Sequence, residues 1–153
     1  MTISVLFVCL GNICRSPLAE AALRHECAQA DVSCIVDSAG TADWHAGNAP
    51  DDRTVAVAAR NGVEAGHLRA RQVRAADFRD FDHIIALDQQ NLQDLRKVQP
   101  KDATAQLSLL LDHVEGQTGQ DVADPYYGND ASFDETWLQV TAAARTLVRK
   151  FST

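Results

Sequence analysis

The chain carries one segment whose residue types and spacing could do covalent chemistry: Val8-Cys9-Leu10-Gly11-Asn12-Ile13-Cys14-Arg15-Ser16-Pro17. A short loop that enters a helix aims several backbone N–H groups at one point, and the helix dipole adds positive potential there. Gly11 permits a turn that a side chain would block, and Asn12 tolerates positive φ. Arg15 brings a planar fork that matches two oxygens of a phosphate. The loop is therefore read as an oxyanion cradle. Cys9 stands at its first residue, where the same electrostatics favour a thiolate nucleophile. Such a sulfur can attack the phosphorus of a bound monoester in line and form a phosphocysteine, and the Ser16 hydroxyl can then ease its departure. The leaving oxygen needs a proton. Asp124, in Asp124-Pro125-Tyr126-Tyr127, offers a carboxyl that can act as acid in one step and base in the next. That division of labour calls on no metal and no cofactor.

These groups need elements to position them. Ile3 to Cys9 is short, apolar and β-branched, which suits a strand buried on both faces. Ser16-Pro17 reads as a helix start, with serine as N-cap and proline at the first helical position, followed by an apolar stripe of Ala19, Leu23 and Cys27. Ser33 to Ser38 and His83 to Leu87 read as further strands, and Leu107 to Leu111 as a fourth strand or a helical piece. Pro50-Asp51-Asp52 opens a helix that Gly62 would stop. Asp88 caps a helix that ends before Pro100. Residues 112–131 form one long loop, and loops of that length are often functional. Ser132-Phe133-Asp134-Glu135 reads as a capping box. Phe133, Trp137, Val140, Ala144, Leu147 and Phe151 then step along the last helix. Strands alternating with helices predict a single α/β domain over residues 1–153, a four-stranded parallel sheet covered on both faces.

Composition narrows the partners. The chain has 153 residues, 46% of them hydrophobic, and 14 Lys+Arg against 21 Asp+Glu give a net charge of −7. An extended nucleic-acid footprint is therefore disfavoured. The apolar run from Val5 to Leu10 is far short of the ~20 residues of a membrane span, and no signal peptide layout is present. Four cysteines without a C-x-x-C spacing favour free thiols and a reducing, cytoplasmic setting. Cys27 and Cys34 are read as core packing. His25, His45, His83 and His113 show no metal-ligand spacing, and Asp77, Asp80 and Asp82 read as a solvated acidic surface.

The segment from Cys9 to Ser16, with Asp124-Pro125-Tyr126-Tyr127, resembles the low-molecular-weight protein tyrosine phosphatases, and the resemblance runs from the first strand to the last helix. It implies strand order 2-1-3-4, Cys9 as nucleophile, Arg15 as phosphate clamp and Asp124 as general acid. It implies that Leu10, Gly11, Asn12, Ile13, Cys14 and Ser16 line the phosphate site, with Asn12, Ser16 and His67 supporting the loop. Trp44, Tyr126 and Tyr127 would wall the substrate ring, and Cys14 would be the redox partner of Cys9. The implied substrates are tyrosine-phosphorylated proteins, a tyrosine kinase among the candidates, with a monomer as the default. Three alternatives are weaker. An arsenate reductase needs cysteines beyond Cys34, which the sequence lacks. The resembling arginine phosphatases carry threonine where Ile13 stands. A phosphate-binding module without catalysis needs neither Cys9 nor Asp124.

Overall fold

The computed structural model describes residues 2–152. Its centre is a four-stranded parallel sheet in order β2-β1-β3-β4, made of β1 (Ile3–Cys9), β2 (Cys34–Gly40), β3 (His83–Ala86) and β4 (Gln106–Leu109). The helices are α1 (Arg15–Gln29), α2 (Asp52–Arg60), the short α3 (Asp77–Asp80), α4 (Gln89–Val98) and α5 (Asp130–Phe151). The expected α/β architecture and strand order are the observed ones. Parallel strands buried on both faces read as continuous apolar runs because each successive side chain enters a different core. In β1, Val5, Phe7 and Cys9 pack with Leu18, Leu23, Phe133 and Val140 from α1 and α5, while Leu6 and Val8 pack with Phe78, Leu92 and Leu95. This alternation puts Cys9 on the α1 side, at the carboxyl end of a central strand.

Several boundaries differ from the sequence expectation, each for a local reason. Strand β2 runs to Gly40 rather than stopping at Ser38, so Gly40 stands beside Cys9 in the register. A Cβ at Gly40 would sit 2.7 Å from the Leu10 carbonyl oxygen, so only glycine lets the chain pass this close. Helix α1 begins at Arg15, and its N-cap position, Cys14, makes no capping bond. The Ser16 hydroxyl, expected as the cap, is engaged with the phosphate loop instead. The cap of α5 is Asn129, whose side chain accepts from the Ser132 N–H while the Ser132 hydroxyl accepts from Asn129 N. The capping box is thus Asn129 to Ser132 rather than the expected Ser132 to Glu135, with Ser132 as its third helical residue instead of its cap. Residues 107–111 are divided between β4 and a 3-10 turn, Leu110–His113.

The acidic cluster is not uniformly solvated. Asp77 is 1% exposed and binds the Arg71 side chain and the Arg74 N–H, whereas Asp80 and Asp82 lie at the surface.

At the base of the sheet, the His113 ring lies between Ser108 and Lys150. Burial, then the nearby Lys150 and His83, lower its pKa from 6.5 to about 4. Between roughly pH 6.5 and 4 the unfolded chain holds a proton that the folded chain refuses, so folding stability falls as pH falls through that window. Denaturant titrations at pH 7 and 4.5 should show His113→Gln losing less stability on acidification than the wild type. Equal losses would contradict this assignment.

Candidate active site

The loop between β1 and α1 is shaped by Asn12, which sits in the left-handed region with φ 58°. Its buried side chain is spent entirely on neighbours. Nδ2 donates to Ser16 Oγ (2.8 Å) and Ser38 Oγ (2.9 Å), and Oδ1 accepts from the Arg71 N–H (3.0 Å). Ser38 in turn donates to Glu20 Oε1 (2.6 Å), a carboxylate 3% exposed that Arg24 also binds. Burial raises the Glu20 pKa, and the bonds from Ser38 and Arg24 oppose that rise. From outside, Asp51 N and the Thr54 hydroxyl donate to the Ile13 carbonyl at 3.0 and 2.9 Å. A loop so fixed has little freedom left.

What remains is aimed inward. Among the described residues, the amides of Gly11, Asn12, Ile13 and Cys14 donate to no protein acceptor. Together with the uncapped start of α1, they form a concave set of donors suited to an anion. Gly11 needs no positive φ. A Cβ there would lie 3.0 Å from the His45 ring, so its smallness gives the ring room rather than permitting an unusual backbone.

Cys9 Sγ lies 2.9 Å from Ser16 Oγ and is 3% exposed. A hydroxyl at that distance can donate to a thiolate. The Arg15 guanidinium is also buried and is gripped by Asp88 Oδ2 at 2.6 Å and by the Val122 carbonyl at 2.9 Å. Burial works against its charge, but Cys9, Asp88 and Asp124 outweigh it, and the net effect raises the Arg15 pKa. Asp88 serves twice, since its other oxygen caps α4 through the Asn91 N–H (2.7 Å). Asp124 Oδ2 lies 3.6 Å from Arg15 Nη2, and Asp124 Oδ1 accepts from the Tyr126 N–H at 3.1 Å.

Cys9, Arg15 and Asp124 share one cavity of about 180 Å³. Leu10, Ile13 and Cys14 complete its base, and Trp44, His45, Tyr126 and Tyr127 surround it. Trp44 is 70% exposed and Tyr127 95%, so both form a rim rather than a buried wall. A roomier cavity of about 330 Å³ against α4 holds none of the phosphate-binding groups, so size does not mark the site.

A family model described as low molecular weight phosphotyrosine protein phosphatase matches residues 4–153. The chain belongs to that family. A low molecular weight protein-tyrosine-phosphatase of Bacillus subtilis is 46% identical over 148 residues, covering 95% of this chain and 94% of its own. A crystal structure of a protein tyrosine phosphatase from Entamoeba histolytica superposes with a TM-score of 0.91 at 33% identity, covering 98% and 97% of the two chains. A Drosophila arginine phosphatase does so with 0.91 at 32% identity, covering 97% and 98%. The activity class is accordingly protein-tyrosine-phosphatase, a hydrolase.

In this phosphatase the expected site residues converge, with one exception. His67 lies at the surface, its Nδ1 3.9 Å from Glu64 Oε1, and does not touch the loop. The partly buried Leu68 packs on the core beside it, and the Arg71 N–H serves Asn12 instead. Sequence reasoning missed Ser38, Asp88, Arg71 and His45, all of which meet the loop only through the fold. Asp88 carried a signal, since a helix cap at a strand's carboxyl end stands where ligands bind.

Cys14 is buried among acids. Burial, then Asp51, push its pKa up to about 12, so the group stays a neutral thiol at physiological pH. Peptide mapping after brief iodoacetamide treatment at pH 7 should find Cys14 unmodified. Modification as fast as that of free cysteine would contradict this environment.

Proposed function

We propose that this phosphatase hydrolyses phosphotyrosine monoesters on proteins through a cysteinyl-phosphate intermediate, in a catalytic domain occupying residues 1–153. The observation that carries the reading is the convergence of Cys9, Arg15 and Asp124 on one cavity lined by a loop whose amides have no protein acceptor among the described residues. The loop amides and the Arg15 fork hold the three non-bridging oxygens and stabilise the charge that spreads over them in the transition state. Cys9 Sγ attacks phosphorus, the P–O ester bond breaks, and Asp124 gives its proton to the departing phenolic oxygen. In the second step Asp124 takes a proton from water as that water attacks phosphorus. The P–S bond breaks, inorganic phosphate leaves, and Ser16 donates to the departing sulfur. The scheme calls on no metal or cofactor.

The rim supports an aromatic ester. Trp44 and Tyr126 line the cavity with aromatic surface, Leu10 and Ile13 add apolar surface, and the exposed Tyr127 extends the rim outward. Phosphoarginine is the competing substrate, given the likeness to an arginine phosphatase. Ile13 favours phosphotyrosine, because its side chain offers the guanidinium of phosphoarginine no hydrogen-bond acceptor. Cys14 is the redox partner. A sulfenic acid on Cys9 would condense with the Cys14 thiol to a disulfide and release water, slowly, because that thiol is so little ionised. A cytoplasmic monomer acting on tyrosine-phosphorylated proteins, a tyrosine kinase among them, completes the reading. Among the described residues no helix is long and apolar enough to cross a membrane.

Phosphotyrosyl, phosphoseryl and phosphoarginyl peptides of one sequence test the substrate class. Phosphotyrosine should be cleaved fastest, and a faster phosphoarginine reaction would overturn the assignment. Cys9→Ser should abolish turnover. Asp124→Ala should lower kcat/KM by about 10²- to 10⁴-fold for a phenyl ester. The same variant should barely change kcat/KM for an ester whose phenol is as acidic as a carboxylic acid. Equal losses would show that Asp124 is not the acid.

A further inference from the structure

Asp124 lies on a connection rather than on a helix or strand, and its side chain is 43% exposed. Its carboxylate is held locally by the Tyr126 N–H. The segment is pinned before Asp124 at Val122, whose N–H donates to the Leu87 carbonyl and whose carbonyl accepts from Arg15 Nη1, and after it by whatever holds the backbone of residues 125–128. One side chain from another element does so among the described residues. Arg53, in the first turn of α2, donates Nη2 to the Tyr126 carbonyl (2.9 Å) and Nη1 to the Gly128 carbonyl (3.3 Å).

The guanidinium is itself fixed. Asp51 takes Nε and Nη2 at 3.0 Å each through its two oxygens, and that bonding holds the Asp51 carboxyl below the usual carboxylate range. The cation lies 4.6 Å from the ring centroid of Phe133, in α5, and 5.7 Å from that of Tyr126. The same Asp51 carboxylate caps α2 by accepting from the Arg53 N–H at 2.9 Å, so the pair also secures the start of that helix. Beyond that local role, the fork joins two carbonyls of one segment to a carboxylate of another.

The residues beside Arg53 hold the opposite half of the site. Asp51 N and Thr54 Oγ1 bind the Ile13 carbonyl of the phosphate loop. Three residues within one four-residue stretch, Asp51, Arg53 and Thr54, thus touch the loop that would carry the nucleophile and the segment that would carry the acid. We propose that Arg53 is a positioning residue that sets Asp124 at its working distance from the phosphate loop, through the carbonyls of Tyr126 and Gly128. This rests on the assignment of Asp124 as general acid. Arg53 touches neither the phosphate nor the leaving group. Losing it leaves phosphate binding and sulfur attack intact and weakens proton delivery.

The test compares kcat/KM for phenyl phosphate and 2,4-dinitrophenyl phosphate, the second having a leaving group that needs no proton. The proteins are wild type, Arg53→Gln, Arg53→Lys, Asp124→Ala and Arg53→Gln/Asp124→Ala. Misplacing the acid should cost Arg53→Gln about 10- to 100-fold on phenyl phosphate and leave the dinitrophenyl ester within about twofold of wild type. Arg53→Lys, which keeps one donor direction, should fall between. On the Asp124→Ala background, Arg53→Gln should cost nothing further. Equal losses on both esters in Arg53→Gln, or a further loss in the double variant, would overturn the proposal, because a structural role weakens every substrate alike. If Arg53→Gln does not fold, Arg53→Lys carries the same comparison. Selectivity in Asp124→Ala without selectivity in the Arg53 variants would sink this proposal alone. Equal losses in Asp124→Ala would sink the acid assignment and this proposal with it.

Discussion

The structure depends on keeping one ring of backbone amides pointed inward without letting any of them find a partner in the protein. A chain left to itself satisfies its N–H groups, because an unpaired buried donor costs about 1–3 kcal/mol. The loop after β1 resists that by committing its outward side to the scaffold. Asn12 holds the left-handed turn and ties it to Ser16, Ser38 and Arg71. The Ile13 carbonyl is tied to α2. The open donors are then available to an anion. A buried arginine beside this loop needs counter-charge, and Asp88 supplies it at the cap of α4 without occupying the anion's place.

The sheet explains why these parts can meet. Strand β1 is central, so its carboxyl end is flanked by the ends of β2 and β3, and each neighbour delivers one polar side chain to the loop. From β2 come Ser38 and the close-packed Gly40, and just past β3 comes Asp88. Cys9, the proposed nucleophile, thus ends a central buried strand, while Asp124, the proposed acid, sits on the connection before α5. That division suits a reaction in which the sulfur stays still and the acid must give and then take a proton.

How much could be read in advance follows from range along the chain. The phosphate loop was legible because its strand, loop and helix are contiguous, and Asn12 announces a left-handed turn. Asp124 was singled out because the chemistry asks for a proton donor and the long loop supplies a carboxyl, although the bond its Oδ1 accepts from the Tyr126 N–H gives it a turn-forming role as well. The Ser16 cap was misread for a physical reason: a serine hydroxyl can serve a helix amide or a sulfur, and only the fold puts Cys9 2.9 Å away. Asp77 was misread because acids read as solvated unless a cation such as Arg71 arrives to bury with them. His67 was misread because a histidine has no register until its neighbours choose a core, and Leu68 turned it outward. The partners Ser38, Arg71 and Arg53 lie 26, 59 and 41 residues beyond Asn12, where no local pattern reaches.

The central claim is that phosphorus passes through the sulfur of Cys9. Its most direct test is an acid quench of the enzyme during turnover of an aryl phosphate, followed by peptide mass spectrometry. One phosphoryl group on the Cys9 peptide, lost on chase with unlabelled buffer at the rate of product release, is the predicted result. Full turnover with no phosphoryl group ever found on Cys9, or one found on another residue, would contradict it.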